Sequence, residues 1–283
     1  MNAVYDKYEA VIGLEVHAQL LTSSKAFSQD LNDYGALPNE NVSPITLGHP
    51  GTLPKLNEKS PEYAVKLGIS CGSEITRINR FSRKNYFYAD MPKGYQITQF
   101  DTPICTGGQV NIKTKDGVKK AIRLTRIHIE EDSGKSIHDQ DPEYTLVDLN
   151  RAGVPLLEVV TEPDIRSGEE AYQYLTELRK LVRYLEICDG NLEEGSMRCD
   201  ANISVRLKGA KEFGQKVEVK NMNSIRNVQR AIEFEIKRQI DALETGEEII
   251  HETRAFNAIS GTTSGMRSKE EANDYRYFPE PDL

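Results

Sequence analysis

No stretch of the 283-residue chain approaches the roughly 20 consecutive apolar residues that a membrane-crossing helix needs, which excludes a helical span. The N-terminus, Met1 to Ala10, lacks the basic start and apolar centre of a signal peptide, so export is not expected and a cytoplasmic location is. Cys71, Cys105, Cys188 and Cys199 are widely separated and form no Cys-x-x-Cys pair. That spacing suggests neither a zinc ribbon nor a disulfide framework, and the four read as reduced, structural thiols. An excess of basic charge is also missing. Lys+Arg total 36 against 44 Asp+Glu, a net charge of -8, which argues against a general basic surface for nucleic acid; any RNA contact must be local. There is no Gly-x-Gly-x-x-Gly. Gly134-Lys135-Ser136 imitates the end of a P-loop, but Ile129 stands where that motif needs its first glycine. A phosphate here would have to be held by side chains, a metal and an isolated turn.

What is present is a dense acidic stretch, Arg126-Ile127-His128-Ile129-Glu130-Glu131-Asp132-Ser133-Gly134-Lys135-Ser136. Ile127 and Ile129 alternate with Arg126, His128 and Glu130. If the strand persists one residue further, Glu131 joins the isoleucine face and Glu130 lies opposite. A carboxylate that faces a core needs a metal or a base beside it. The alternative is a strand that ends at Glu130, with the acids in a solvated turn.

The same alternation recurs along the chain. Residues 11 to 20 place Ile12, Leu14, Val16, Ala18 and Leu20 on one face and Glu15, His17 and Gln19 on the other. Residues 22 to 59 read as an ordered loop region, and Ser60-Pro61 opens a short helix to about Ile69. Arg83-Lys84-Asn85-Tyr86-Phe87-Tyr88 interleaves bases with aromatics; it could stack a nucleotide, with packing of the aromatics in a strand as the competing reading. Asp116-Gly117 marks a hairpin turn. Strands are expected at 144 to 149 and 155 to 162, the second carrying Glu158 among apolar neighbours. Ser167 to Glu170 forms a capping box for a helix to about Ile187. Met197 to Leu207 alternates throughout, with Arg198 and Asp200 on the polar side, and Val217 to Asn221 points Glu218 and Lys220 together. A second long amphipathic helix runs from Ser224 to about Leu243, and the last forty residues read as polar, ending at Asp274 to Leu283 in an extended, proline-limited conformation. The fold class expected is α+β, a large antiparallel sheet with helices packed on it.

Five expected strands therefore present a carboxylate each, at Glu15, Glu131, Glu158, Asp200 and Glu218, joined by His17, Arg198 and Lys220. Oxygen-rich sites of that kind suit Mg²⁺ with substrate phosphate oxygens, and the reaction class that follows is phosphoryl transfer.

Ile12-Gly13-Leu14-Glu15-Val16-His17, Pro50-Gly51-Thr52-Leu53-Pro54, Arg83 to Tyr88, Glu130 to Lys135, Leu146 to Arg151, Glu193 to Asn202 and Asp274 to Pro281 together resemble the B subunits of glutamyl-tRNA(Gln)/aspartyl-tRNA(Asn) amidotransferases. The resemblance spans essentially the whole chain. It implies a catalytic cradle similar in fold to glutamine synthetase and guanidino kinases. It also implies an ATP-dependent phosphorylation of the glutamate or aspartate side chain mischarged on tRNA, followed by displacement of phosphate by ammonia. The partners implied are an amidase A subunit that supplies the ammonia, a small C subunit that completes a heterotrimer, and the mischarged tRNA, with no membrane. His17, Glu131 and Glu158 match the family's metal ligands, with Glu15, Glu130, Asp200, Glu218 and Lys220 nearby as catalytic candidates alongside Arg198. Lys135, Arg198, Lys220 and Asn221 are the candidates for contact with ATP. Many members carry zinc-holding cysteines after a Ser-Lys-x-Phe segment; Ser24-Lys25-Ala26-Phe27 is followed here by Ser28, and Val42-Ser43-Pro44 has none, so no zinc is expected. The family continues past Pro281 with helical and tail domains that grip tRNA. Residues 1 to 283 thus correspond to a single catalytic domain, with 255 to 283 as an extended lead into an absent region. The rival reading is a non-catalytic docking scaffold.

Overall fold

Period-two alternation accounts for the longest strands of the computed structural model, which describes residues 4–268 and 275–283. In chain order the strands are β1 (Tyr8–Gln19), β2 (Glu74–Ile75), β3 (Ser82–Asn85), β4 (Tyr95–Thr98), β5 (Cys105–Thr106), β6 (Gln109–Lys113), β7 (Lys119–Glu131), β8 (Lys135–Ile137) and β9 (Leu146–Asp148). They continue with β10 (Pro155–Thr161), β11 (Met197–Leu207), β12 (Val217–Lys220), β13 (Glu252–Asn257), β14 (Thr262–Ser268) and β15 (Phe278–Pro279). The helices are α1 (Lys59–Cys71), α2 (Gly168–Tyr184) and α3 (Ile225–Glu244).

Thirteen strands form one sheet whose main path runs β14-β13-β12-β11-β1-β10-β7-β4-β3-β15, while β8 and β9 pair separately. The α+β expectation holds. The sheet is antiparallel except between β12 and β13, which are parallel. One face is covered by helices: α2 packs on α3, α3 on β11, α2 on β6 and α1 on β7. Ser167 and Ser224 start the two long helices by accepting backbone N–H bonds from Glu170 and Asn227, both at 3.1 Å. Beneath them lie Ile12, Leu14, Val16, Ile127, Ile129, Leu157, Ala201 and Ile203, all buried. Each such Val, Leu or Ile side chain contributes about 1.5–3 kcal/mol by leaving water. The four cysteines are free and buried in this core, and burial pushes the Cys71 thiol up to about 11 and those of Cys105 and Cys188 to about 12.

The C-terminal region corrects one expectation. Residues 252–268 are not simply extended but form the β13/β14 hairpin, added to the sheet edge. Among the hairpin residues whose burial is described, Phe256 and Thr263 are the buried ones, so there is no apolar alternation to read. Residues 275–283 combine extended backbone with a left-handed Arg276 (φ 43°) and a turn at 281–282, and are fixed to β3. Arg83 donates to both oxygens of buried Glu280, at 2.6 and 3.0 Å, in a fork-to-carboxylate pair.

Connectivity also sets the curvature. Ser268 ends β14 at one edge, and Tyr275, seven positions later, bonds to Asn85 of β3 near the other edge. Seven residues reach about 25 Å at most. A flat path of the ten strands named above would be about 43 Å wide at ~4.8 Å per strand spacing. The sheet is therefore curled, and because Glu15 of β1 and Lys84 of β3, four strands apart, line one cavity on the uncovered face, that face is the concave one.

Candidate active site

Register decides which side chains meet. In β1, Glu15 lies opposite Asp200 of β11 and Val160 of β10, and His17 opposite Arg198 and Glu158. Glu158 in turn lies opposite His128 of β7. Opposed residues of antiparallel strands project to the same side, so these groups, with Glu130 two positions beyond His128, share the concave face.

Their polar atoms converge. His17 Nε2 lies 3.3 Å from Glu158 Oε2 and 3.6 Å from Glu15 Oε1. His128 Nε2 lies 3.1 Å from Glu130 Oε1 and 3.7 Å from Glu158 Oε2. Glu130 also accepts from Thr98 Oγ1 at 2.6 Å and Gln96 Nε2 at 3.1 Å. Arg126 Nη2 reaches Glu158 Oε1 at 3.5 Å. One ligand atom each from His17, Glu130 and Glu158 falls within a 4.8 Å cluster, and so does one each from Glu15, His17 and Asp200. Atoms bound to one cation lie within about twice the metal–ligand distance, or roughly 4–5 Å for Mg²⁺ or Ca²⁺. Carboxylates with one imidazole thus fit a divalent cation in both number and spacing.

Residues 10–283 match the family model described as the GatB/GatE catalytic domain. The chain belongs to this family. It is 59% identical over 277 residues to the B subunit of an aspartyl/glutamyl-tRNA(Asn/Gln) amidotransferase of Thermodesulfovibrio yellowstonii, covering 98% of this chain and 58% of that protein. It is 57% identical over 282 residues to the protein of the same name from a Synechococcus strain (98% and 58%), and 56% identical over 276 residues to that of Bdellovibrio bacteriovorus (98% and 57%). The chain thus spans somewhat over half the length of these relatives.

Within this GatB/GatE-family site, burial and charge act against each other on each acid. Burial pushes the Glu15 carboxyl up, and the neighbouring Glu158 charge adds to that. For Glu130 burial also acts upward, but the His128 hydrogen bond and the His128 and Lys84 charges outweigh it and hold the carboxyl below its ordinary range. Glu158 is likewise held low despite burial, by the His17 hydrogen bond and the His128 charge. His17 is raised: burial acts downward and the Glu158 hydrogen bond overcomes it. Lys84 of β3 reaches the same pocket, its ammonium 4.8 Å from the Tyr275 ring centre and, among the described residues, outside salt-bridge range of any carboxylate.

Three expectations need correction. Glu131 does not join the cluster. It lies on the isoleucine face, as alternation requires, and its base is Lys93: the buried pair forms a short ion pair, and Ile97 N donates to the same carboxylate at 2.9 Å. Glu130 takes the position in the cluster instead. Lys135 is exposed at the start of the separate β8/β9 hairpin, and Asn221 is exposed beyond β12 with φ 65°. Neither lines the carboxylate pocket. Lys220 sits between Asp200, at 2.5 Å, and Glu218, at 3.4 Å, and their charges raise its pKa over the opposing effect of burial. Arg198 donates to Asp132 at 2.8 Å. Asp132 is buried, yet Arg198 and Arg151 keep its carboxyl low.

On the helix-covered side, near Glu131, lies Lys25, fully buried, with Nζ donating to Asn41 O at 2.6 Å and Leu149 O at 3.4 Å. Burial pushes its ammonium down from 10.5 to about 8. The unfolded chain therefore binds the extra proton between those values, so stability rises with pH from about 8 towards 10. Replacing Lys25 by Met is expected to remove that rise, which is worth up to about 3 kcal/mol at 1.36 kcal/mol per pH unit. Urea unfolding at about pH 7.5 and pH 9.5 reads the difference; parallel pH profiles for both proteins would exclude the assignment.

Proposed function

We propose that this chain carries the phosphoryl-transfer step of a tRNA-dependent amidotransferase. The observation that carries the reading is the cluster of Glu15, His17, Glu130, Glu158 and Asp200 on an open concave face, with Lys84 and Arg126 beside it. The relatives are named as aspartyl/glutamyl-tRNA(Asn/Gln) amidotransferase B subunits, which supports mischarged tRNA as the substrate class. ATP would phosphorylate the side-chain carboxylate of glutamate on tRNA(Gln), or aspartate on tRNA(Asn). Ammonia from an amidase A subunit, joined through a small C subunit in the cytoplasm, would then displace phosphate.

His17, Glu130 and Glu158 would hold a divalent cation, expected to be Mg²⁺, which when bound would supply charge to offset that of the phosphate oxygens. Glu130 is fixed in place by Thr98, Gln96 and His128, so its orientation does not depend on substrate. Lys84 and Arg126 meet the transferring phosphoryl group, where charge spreads over its equatorial oxygens. The substrate carboxylate oxygen bonds phosphorus as ADP leaves. Ammonia then bonds the carbonyl carbon as phosphate leaves, and the proton it sheds passes to Glu15, the carboxyl with the raised affinity for one. Among the described residues no helix is long and apolar enough to cross a membrane.

The test is to assemble the subunit with its partners and supply ATP and mischarged tRNA with hydroxylamine in place of glutamine. Trapping of the side-chain hydroxamate, dependent on ATP, supports an acyl phosphate. ATP-independent trapping, or none while amide forms from glutamine, would overturn it and favour a docking scaffold.

A further inference from the structure

The cavity above the carboxylates has a volume of about 200 Å³. That is below the 300–1,000 Å³ of sites that enclose a whole small ligand. It is large enough for a cation and an anionic chain but not for a nucleoside as well, so a nucleoside attached to that anion must lie on the rim. The rim has an aromatic wall. Phe100, in the loop after β4, stacks on Tyr277 with ring centres 4.0 Å apart and planes 11° from parallel, and both residues line the cavity with Lys84 and Glu130.

Two features make this pair a platform rather than a buried contact. Phe100 remains 55% exposed although Tyr277 covers one of its faces, so the opposite face is open. Tyr277 is also pre-positioned. Tyr275 packs edge-on against it at 6.3 Å and against Tyr86 at 6.0 Å, Asn85 N and Nδ2 bond Tyr275 O and Arg276 O at 2.8 and 2.7 Å, and Glu280 is locked to Arg83. A flat ring laid on Phe100 would extend an ordered stack without first ordering the protein.

We propose that the open face of Phe100, backed by Tyr277, stacks the adenine ring of an adenosine whose anionic end enters the carboxylate cavity. This rests on the phosphoryl-transfer reading. Two adenosines fit the chemistry, that of ATP with its phosphates and the terminal adenosine of tRNA with its esterified acidic residue; stacking is shared and the tether differs.

The chain contains no tryptophan, so Phe100→Trp installs a single indole reporter at an exposed position. In the 283-residue chain, Mg-ATP and a stable 3′-glutamylamido-adenosine are titrated separately, with Mg-tripolyphosphate as the base-free control. Quenching by one adenosine ligand, with none from tripolyphosphate, is the expected result and identifies the source. In the assembled enzyme, Phe100→Ala should raise KM for that same substrate about tenfold with kcat within about twofold, and Phe100→Trp should restore it, as stacking on an aromatic ring predicts. Quenching by neither adenosine ligand, equal quenching by tripolyphosphate, or KM values unchanged by Phe100→Ala would each overturn the platform. Hydroxylamine trapping is scored independently. Quenching by Mg-ATP without any trapped hydroxamate would leave the platform standing and remove the reaction assigned to the site.

Discussion

Glu158→Gln is expected to lower ATP-dependent phosphate release by about 10²- to 10³-fold, the usual cost of losing one preorganised charge at a site of developing charge. The substitution keeps size and a hydrogen-bonding oxygen, but removes the charge that faces His17 at 3.3 Å, Arg126 at 3.5 Å and His128 at 3.7 Å. Stability should respond in a pH-dependent way. His17 has a folded pKa raised above its unfolded value of 6.5; burial acts against the raise and the Glu158 hydrogen bond overcomes it. That interaction stabilises fully below 6.5 and fades as pH climbs through the folded value. Metal-free Glu158→Gln should thus lose more stability, relative to the parent chain, at about pH 5.5 than at about pH 8.5. Phosphate release and thermal unfolding at both pH values check the two halves. A variant with unchanged release would remove Glu158 from the chemistry.

The second large effect lies on the other side of the same sheet. Lys93→Met should destabilise the chain by about 3–5 kcal/mol, because it leaves the Glu131 carboxylate buried without its base. Adding Glu131→Gln should recover much of that loss, since the amide oxygen still accepts from Ile97 N and no buried charge remains. Urea unfolding of the two single variants and the double variant gives the coupling between them. Mn²⁺ titration followed by electron paramagnetic resonance should show the same cation affinity in Glu131→Gln as in the parent. A large loss of affinity would return Glu131 to the ligand set.

The contrast between these two carboxylates shows what could be read in advance. Alternation placed Glu131 on the isoleucine side and Glu130 opposite, and required a metal or a base beside the buried one. It could not choose Lys93, which lies 38 positions earlier in an irregular segment. Strands β1 and β11 announced themselves because each has one buried and one polar side, and both long helices began at their capping serines. His128 was within reach of the same argument, being two residues from Glu130 on one strand. Lys84, Gln96, Thr98 and Phe100 were not, because only pairing of β3 and β4 with the rest of the sheet carries them to the cluster. The β13/β14 hairpin stayed hidden for the opposite reason: among its described residues two side chains, Phe256 and Thr263, are buried, and that leaves no periodic signature.

Placing adjacent residues of β7 in two unrelated sets of partners makes chain length itself a constraint. A slip of one residue against β10 would turn Glu130 towards Lys93 and present Glu131 to His17 and Glu158, exchanging the two faces at once. Ile127 and Ile129, at 0% and 1% exposure, oppose such a slip, since it would drive both into the acid cluster. The pairing already absorbs one irregularity where the register shifts between Val160 and Thr161, at the end remote from the acids, and Thr161 Oγ1 ties that point to Leu14 N at 2.9 Å. Insertions and deletions should therefore be tolerated in the exposed 138–145 loop between β8 and β9, and selected against from Leu124 to Glu131, even where every substituted side chain would still be apolar or acidic in the right proportion.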